Sequence, residues 1–132
     1  LLSREESWAQ MERTMGQWAL RGYGMLAVEQ AGALVGRVGI LHPIEWDEPE
    51  LAWGIAPSCW GQGFAGEAAR AVRRWAFAEF GFPRLASFIM PENHASRRVA
   101  EKLGAARQGT TTIRGFTVDR WVHPAPGTGV IA

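Results

Sequence analysis

The feature that most narrows what this chain can fold into is a run of glycines, Trp60-Gly61-Gln62-Gly63-Phe64-Ala65-Gly66-Glu67-Ala68, placed where a strand-like segment gives way to a helical one. Upstream, residues 50–56 read as a strand that Pro57 and Ser58 close. Downstream, Ala65, Ala68, Ala69, Val72, Trp75, Ala76 and Phe80 share one helical face, and Glu67, Arg70, Arg73 and Arg74 the other. Gly81 ends that helix and Pro83 prevents its extension. One glycine would serve a turn. Three leave bare amides beside the unsatisfied N–H groups and the positive dipole end of a helix. Such a junction is a cradle for phosphate or pyrophosphate, with a tight turn of small packing residues as the alternative.

The other elements follow from period and punctuation. Ser3-x-x-Glu6 is a capping box, and Trp8, Met11, Met15 and Trp18 recur at three and four, predicting an amphipathic helix over residues 4–20. Gly22 and Gly24 stop it. Residues 24–30 and 34–41 predict two strands, with a hairpin at Ala31-Gly32-Ala33. Residues 85–90 predict a short apolar strand. Pro91 and Asn93 turn the chain into a further helix ending at Gly104. Residues 105–112 and 116–122 predict a last hairpin around Arg114-Gly115. The expected fold is α/β (α+β), a sheet with helices on its faces. One domain is expected over residues 1–123, followed by a C-terminal tail over 124–132.

Composition removes several functional classes. The net charge of +1 argues against an electrostatically driven nucleic-acid binder. A lone cysteine, Cys59, excludes an internal disulfide framework and a multi-cysteine metal site. No apolar run is long enough for a membrane span, and the first residues lack a signal-peptide pattern. A cytoplasmic protein without a metal is the expectation. The chain also lacks an initiator Met, which suggests that residues precede Leu1.

Read literally, Gly61-x-Gly63-x-x-Gly66 is a dinucleotide-binding fingerprint. That motif belongs after the first strand of a parallel unit, with an acidic residue about 20 positions on. Here a helix and three strands come first, so an NAD-binding oxidoreductase is a poor third reading. A second segment, Asn93-His94-Ala95-Ser96-Arg97-Arg98-Val99-Ala100-Glu101-Lys102-Leu103-Gly104, opens a helix directly after the apolar strand. Asn93 is a good N-cap, and Val99 and Leu103 are core positions.

Together the two segments, ELAWGIAPSCWGQGFAGEAA and PENHASRRVAEKLGA, resemble the GNAT superfamily of acetyl-CoA-dependent N-acetyltransferases, and most closely its RimJ/RimL-like branch. The resemblance spans residues 3–123. It implies the GNAT acyl-CoA N-acyltransferase fold, a mixed, mostly antiparallel sheet flanked by helices, with the family's first strand preceding Leu1. It implies acetyl-CoA as cofactor and coenzyme A as product, held in a V-shaped opening between the third strand and the apolar strand. Backbone amides from Gln62, Gly63, Phe64, Ala65 and Gly66 would hold the pyrophosphate. The strand ending Gly54-Ile55-Ala56 would pair with the pantetheine arm, Asn93 would contact that arm, and Arg97 or Arg98 would lie near the nucleotide. Trp60 replaces the usual Gln or Arg at the first loop position, a variation common in this branch.

Acetyl transfer needs a neutral amine and a proton for the leaving thiolate. By the resemblance, Glu50 matches a carboxylate that can act as base through water. The family's tyrosine acid falls at Ala100, and Tyr23 lies far off, so Ser96 is the candidate acid. His42 could line the acceptor cleft, as could Trp46, Trp53 and Trp121 with the Glu45-Asp47-Glu48 loop. His94 reads as an exposed first-turn residue and His123 as a strand end. Cys59 has no paired His–Asp, which favours direct transfer over an acetyl-enzyme. The expected activity is acetyl transfer to a primary amine, a protein N-terminus or a small molecule. A non-catalytic acyl-CoA-binding sensor is the alternative. The expected partners are that small-molecule or peptide amine and a second copy in a homodimer, with no nucleic acid and no membrane.

Overall fold

A computed structural model describes residues 1–127. The elements run α1 (Arg4–Arg21), β1 (Met25–Gln30), β2 (Ala33–Leu41), β3 (Glu50–Ile55), α2 (Phe64–Phe80), β4 (Arg84–Ile89), α3 (His94–Lys102), β5 (Ala106–Ile113) and β6 (Phe116–Pro124). The six strands form one sheet in the order β1-β2-β3-β4-β6-β5. Every neighbouring pair is antiparallel except β3 and β4. A single parallel pair is not the doubly wound sheet that the dinucleotide fingerprint requires.

Local chemistry accounts for the boundaries. Ser3 Oγ accepts the N–H of Glu6 at the start of α1, and Gly22 ends it at φ 78. Two hairpins turn on residue pairs with positive φ, Ala31-Gly32 and Arg114-Gly115, the twist that two-residue loops favour. In α2, Ala69, Val72, Ala76 and Phe77 are buried against Tyr23, Val38, Ile40, Leu51 and Leu85 of the sheet region. Strand β6 extends to Pro124, opposite Arg84, and Ala125 packs on the main core. Of the expected tail, residues 128–132 lie outside the described residues.

Two faces differ from expectation. The Trp8, Met11 and Met15 stripe of α1 points to solvent, at 64%, 60% and 68% exposure. The helix is docked by polar groups instead. Gln17 Nε2 donates to the carbonyls of Tyr23 and Ile40, its Oε1 accepts from the N–H of His42, and Trp18 Nε1 donates to Met25 O. Arg73, placed by periodicity on the solvent face of α2, turns inward and donates to Leu103 O and His123 Nδ1.

The parting of β3 from β4 matters most for the site. Their parallel pairing holds only at Glu50 and Ala86, where the N–H of Ala86 donates to Pro49 O. A continuing ladder would next join Leu51 C=O to the N–H of Phe88. Both groups are taken by side chains. Ser87 Oγ donates to Leu51 O at 2.6 Å, and Glu50 Oε2 accepts from the N–H of Phe88 at 2.8 Å. With that rung satisfied on each strand separately, the strands diverge without leaving it unpaired.

Candidate functional site

Strand alternation divides the opening between two sheet faces. Leu51, Trp53, Ile55, Ser87, Ile89, Trp121 and His123 share the face covered by α2 and α3, while Glu50, Phe88 and Arg120 share the other. On the helical face lies a cleft of about 510 Å³. Trp53, Gly54 and Ile55 form one wall, Gly61 and Gly63 through Gly66 a second, and Asn93, Ser96, Arg98 and Lys102 a third. The two sequence segments therefore meet in space.

The loop wall has the properties of an anion cradle. Gly61 and Gly63 sit at φ 78 and φ 80, a region that only glycine enters without strain. Helix α2 has no side-chain cap, whereas Ser3 caps α1 and Asn93 caps α3. The first N–H groups of α2 have no partner within the helix and point at the cleft end of the dipole. Gly66 has ordinary helical φ, and a Cβ there would touch nothing within 4 Å. No packing requires glycine at that position. Its absence of a side chain keeps open the space in front of the amides, which fits a pyrophosphate.

The strand wall corrects the expected pairing residues. The N–H of Ala56 donates to Val35 O on β2, and this fixes the phase of the antiparallel ladder. The backbone groups of Gly54 and Ala56 therefore face β2, and those of Trp53 and Ile55 face the opening. Ile55 O already accepts the indole N–H of Trp60 at 2.7 Å. The strand groups that β2 leaves free toward the opening are therefore those of Trp53 and Ile55, not those of Gly54 and Ala56.

Asn93 and Ser96 both line the cleft, and Asn93 Oδ1 accepts the N–H of Ser96 at 3.2 Å. Arg97 does not line it. Its guanidinium donates to Pro91 O, and Arg98 points into the cleft in its place. Gln62 is likewise not among the lining residues, so the loop contributes through its glycines, Phe64 and Ala65. A second basic surface, Arg70, Arg74 and Lys102, continues the cleft along α2 and α3.

At the vertex of the opening sits Glu50, 8% exposed. Burial raises its carboxyl to about 7, against the opposing pull of the Phe88 N–H and the charge of Arg114. Both residues also line a pocket of about 590 Å³ on the far face, with Glu45, Trp46, Asp47, Glu48, Thr111, Thr112 and Arg120. Trp46 meets Phe88 edge-on at 5.6 Å, and Arg114 lies over the Trp46 ring at 6.0 Å. Of the expected acceptor-cleft residues, Trp46, Glu45 and Asp47 gather here. Glu48 is already committed to Arg120 at 2.6 and 2.8 Å and to Arg84 at 3.5 Å. His42 lies elsewhere, its Nδ1 bonded to the hydroxyl of the buried Tyr23.

Beneath the helical face runs a polar chain that sequence reasoning missed. Arg73 donates to His123 Nδ1, so the histidine proton lies on Nε2 and is donated to Ser87 Oγ, whose own proton goes to Leu51 O. His123 is fully buried, and burial with the adjacent Arg73 charge lowers its pKa to about 3. The one available sequence signal was Ser87, a polar residue inside the apolar run Leu85–Met90.

Comparison with known proteins bears on this geometry. The family model for the acetyltransferase (GNAT) domain matches residues 1–106. The uncharacterized protein YkkB of Bacillus subtilis is 39% identical over 90 residues, covering 64% of this chain and 52% of that protein. The FsC-acetyl coenzyme A-N(2)-transacetylase of Aspergillus fumigatus is 36% identical over 81 residues, covering 61% of this chain and 32% of that protein. The chain thus spans about half or less of these curated relatives. A solved acetyltransferase from Agrobacterium tumefaciens superposes with a TM-score of 0.82 at 28% identity, over 92% of this chain and 72% of that one. The parted strands, the uncapped glycine-led helix and these matches agree, and the chain belongs to the GNAT acetyltransferase family.

Proposed function

We propose that this chain binds acetyl-CoA on the helical face of its sheet and transfers the acetyl group directly to a primary amine that enters from the opposite face. The observation carrying this reading is the opening between β3 and β4, with a buried carboxyl at its vertex and a pocket on each side. The amides before and within the first turn of α2 hold the pyrophosphate, and Arg98 and Lys102 face the nucleotide end. Backbone groups of Trp53 and Ile55 orient the pantetheine arm, beside Asn93. Acetyl-CoA, when bound, supplies the activated acyl group. Glu50 takes the proton of the incoming amine, directly or through one water, as its carbon–nitrogen bond forms. Ser96 offers a hydroxyl to the departing sulfur. Trp46, Glu45 and Asp47 receive the body of the acceptor. Trp60 and Ser96 support placement in the RimJ/RimL-like branch, with a peptide N-terminus or a small amine as acceptor.

The test is thiol release from acetyl-CoA in the presence of peptide N-termini, polyamines and other small amines. Turnover with at least one acceptor is expected. Binding of acetyl-CoA without turnover on any acceptor would instead favour the sensor reading, and stabilisation by NAD alone would end both.

Gly66 gives the cleaner test of the loop. Gly63 is at φ 80, so any substitution there adds backbone strain to whatever it does to a ligand. Gly66→Val introduces no such strain and replaces a poor helix former with a slightly better one. Its thermal midpoint should stay level or rise, while calorimetric affinity for acetyl-CoA falls at least roughly tenfold as the side chain enters the phosphate space. Undiminished affinity would reduce the loop to a turn.

A further inference from the structure

Ser87 and Glu50 hold one rung of the sheet crosswise. Ser87, on β4, donates to Leu51 O of β3 at 2.6 Å. Glu50, on β3, accepts from the Phe88 N–H of β4 at 2.8 Å. In a continued parallel ladder those two backbone groups would bond each other. The N–H has one proton to give, and a buried carbonyl takes a donor that is offered to it. Freeing Leu51 O therefore sets it in competition with the Glu50 carboxylate for the Phe88 N–H.

The hydroxyl of Ser87 is fixed in this role from behind. Ser87 is 1% exposed, and the fully buried His123 lies 2.9 Å from its Oγ. Arg73 occupies His123 Nδ1, so the ring donates from Nε2 to Ser87 and leaves the serine proton for Leu51 O. A serine hydroxyl ordinarily rotates among partners, whereas this one is directed by a chain of donors. Arg73, Ser87 and His123 line neither the donor cleft nor the far-face pocket. Their effect on a reaction there has to pass through another group.

We infer that Ser87 is a positioning residue for Glu50: by occupying Leu51 O, it reserves the Phe88 N–H for the carboxylate at the vertex. The inference rests on the reading of Glu50 as the base given above. A backbone N–H donated to a carboxylate favours the ionised form, and here it opposes the burial that raises Glu50. Loss of the serine hydroxyl should make Glu50 harder to ionise, and raising the pH should restore the lost rate. The other charges around the vertex are not altered by substituting Ser87. They are Arg114 of the last hairpin, Glu45 and Asp47 of the loop before β3, and Glu48 with Arg84 and Arg120. On the helical face stand neutral His123 and, beyond it, Arg73. The register partners of Glu50, Leu41 on β2 and Ala86 on β4, carry no charge.

The experiment titrates the glutamate carboxyls of the full, unliganded chain by carbon-13 resonance, with Glu50→Gln identifying the Glu50 signal. The parent should titrate at about pH 7. Ser87→Ala should move that midpoint upward by roughly one pH unit, the effect of one backbone N–H on a carboxylate. With an active acceptor, the limb of its kcat/KM profile should move by the same interval. Turnover about one unit below the parent's limb should fall roughly five- to tenfold and recover above the shifted one. Ser87→Thr keeps the hydroxyl and should restore the parent's midpoint. Ser87→Cys keeps the shape with a weaker donor and should fall between, and it carries the test if Ser87→Ala does not fold. A merely structural serine would cost thermal stability in these variants while the Glu50 titration and the rate limb stayed where the parent has them. That result overturns the inference and leaves the proposed function standing. Absence of turnover on every acceptor would remove the proposed function and the base it assigns, an outcome separate from the carboxyl titration.

Discussion

Replacing Glu50 by glutamine is expected to lower turnover at neutral pH by roughly 10²- to 10⁴-fold, the range for loss of a positioned base. The substitution should also remove an ionisation at about pH 7 from the kcat/KM profile. Only the carboxylate form of Glu50 accepts a proton, and its population grows as pH rises toward that value. The parent profile should climb and then level near pH 7, while the acceptor's own ammonium contributes a separate limb at its own pKa. Glu50→Gln should retain the acceptor limb alone. The amide oxygen of glutamine still accepts from the N–H of Phe88, so the vertex keeps its shape. A thermal midpoint close to the parent's near pH 4.5, where the parent's Glu50 is protonated as well, would verify that. A variant that keeps the limb near pH 7, or loses less than about threefold in rate, would leave Glu50 as a strut between β3 and β4.

How much of this was legible before the structure depends on the kind of signal. Helix α1, helix α2 and both hairpins could be read because caps, glycines and periodicity are local and redundant. The outward stripe of α1 could not. Periodicity shows that a face is apolar but not what covers it, and Gln17 and Trp18 dock the helix by hydrogen bonds. The loop Gly61–Gly66 could be read from its glycines, and its meeting with Asn93 and Ser96 was implied by the family resemblance. The choice of Trp53 and Ile55 over Gly54 and Ala56 was not, because ladder phase depends on register, and a one-residue slip exchanges every residue's direction. Arg97 and Arg98 illustrate the same limit. Neighbours on a helix diverge by about 100°, and only the docked orientation of α3 sends Arg98 into the cleft. The opening itself depends on Ser87 and Glu50 intercepting one rung, an event with no period and no motif.

Two buried groups, Glu50 and His123, predict an unusual dependence of stability on pH. Glu50 rises from 4.5 in the unfolded chain to about 7 in the fold. The native state therefore holds more protons than the unfolded state across that interval, and stability falls as pH rises through it. His123 drops from 6.5 to about 3, so the unfolded state holds the extra proton, and stability falls as pH descends below 6.5. Each slope approaches about 1.4 kcal/mol per pH unit, for totals on the order of 3 kcal/mol for Glu50 and 4–5 kcal/mol for His123. Between pH 4.5 and 6.5 the two oppose each other, and in denaturant unfolding their contributions to the slope of stability against pH nearly cancel, leaving the smaller one of His42, whose pKa burial also lowers. Single substitutions should expose the hidden slopes with opposite signs. Glu50→Gln leaves the histidine, so its stability should rise with pH up to about 6.5. His123→Gln leaves the carboxyl, so its stability should fall as pH rises from 4.5 to about 7. Above pH 6.5 it should be less stable than the parent, because Arg73 and Ser87 lose the ring that joins them, and the deficit should shrink as pH falls and the parent's neutral buried imidazole becomes costly. Parallel profiles for the parent and both variants would mean that neither group carries its shifted proton affinity in the fold. Opposite slopes would identify the vertex carboxyl as a group held protonated below neutrality, poised to become a base where an amine needs one.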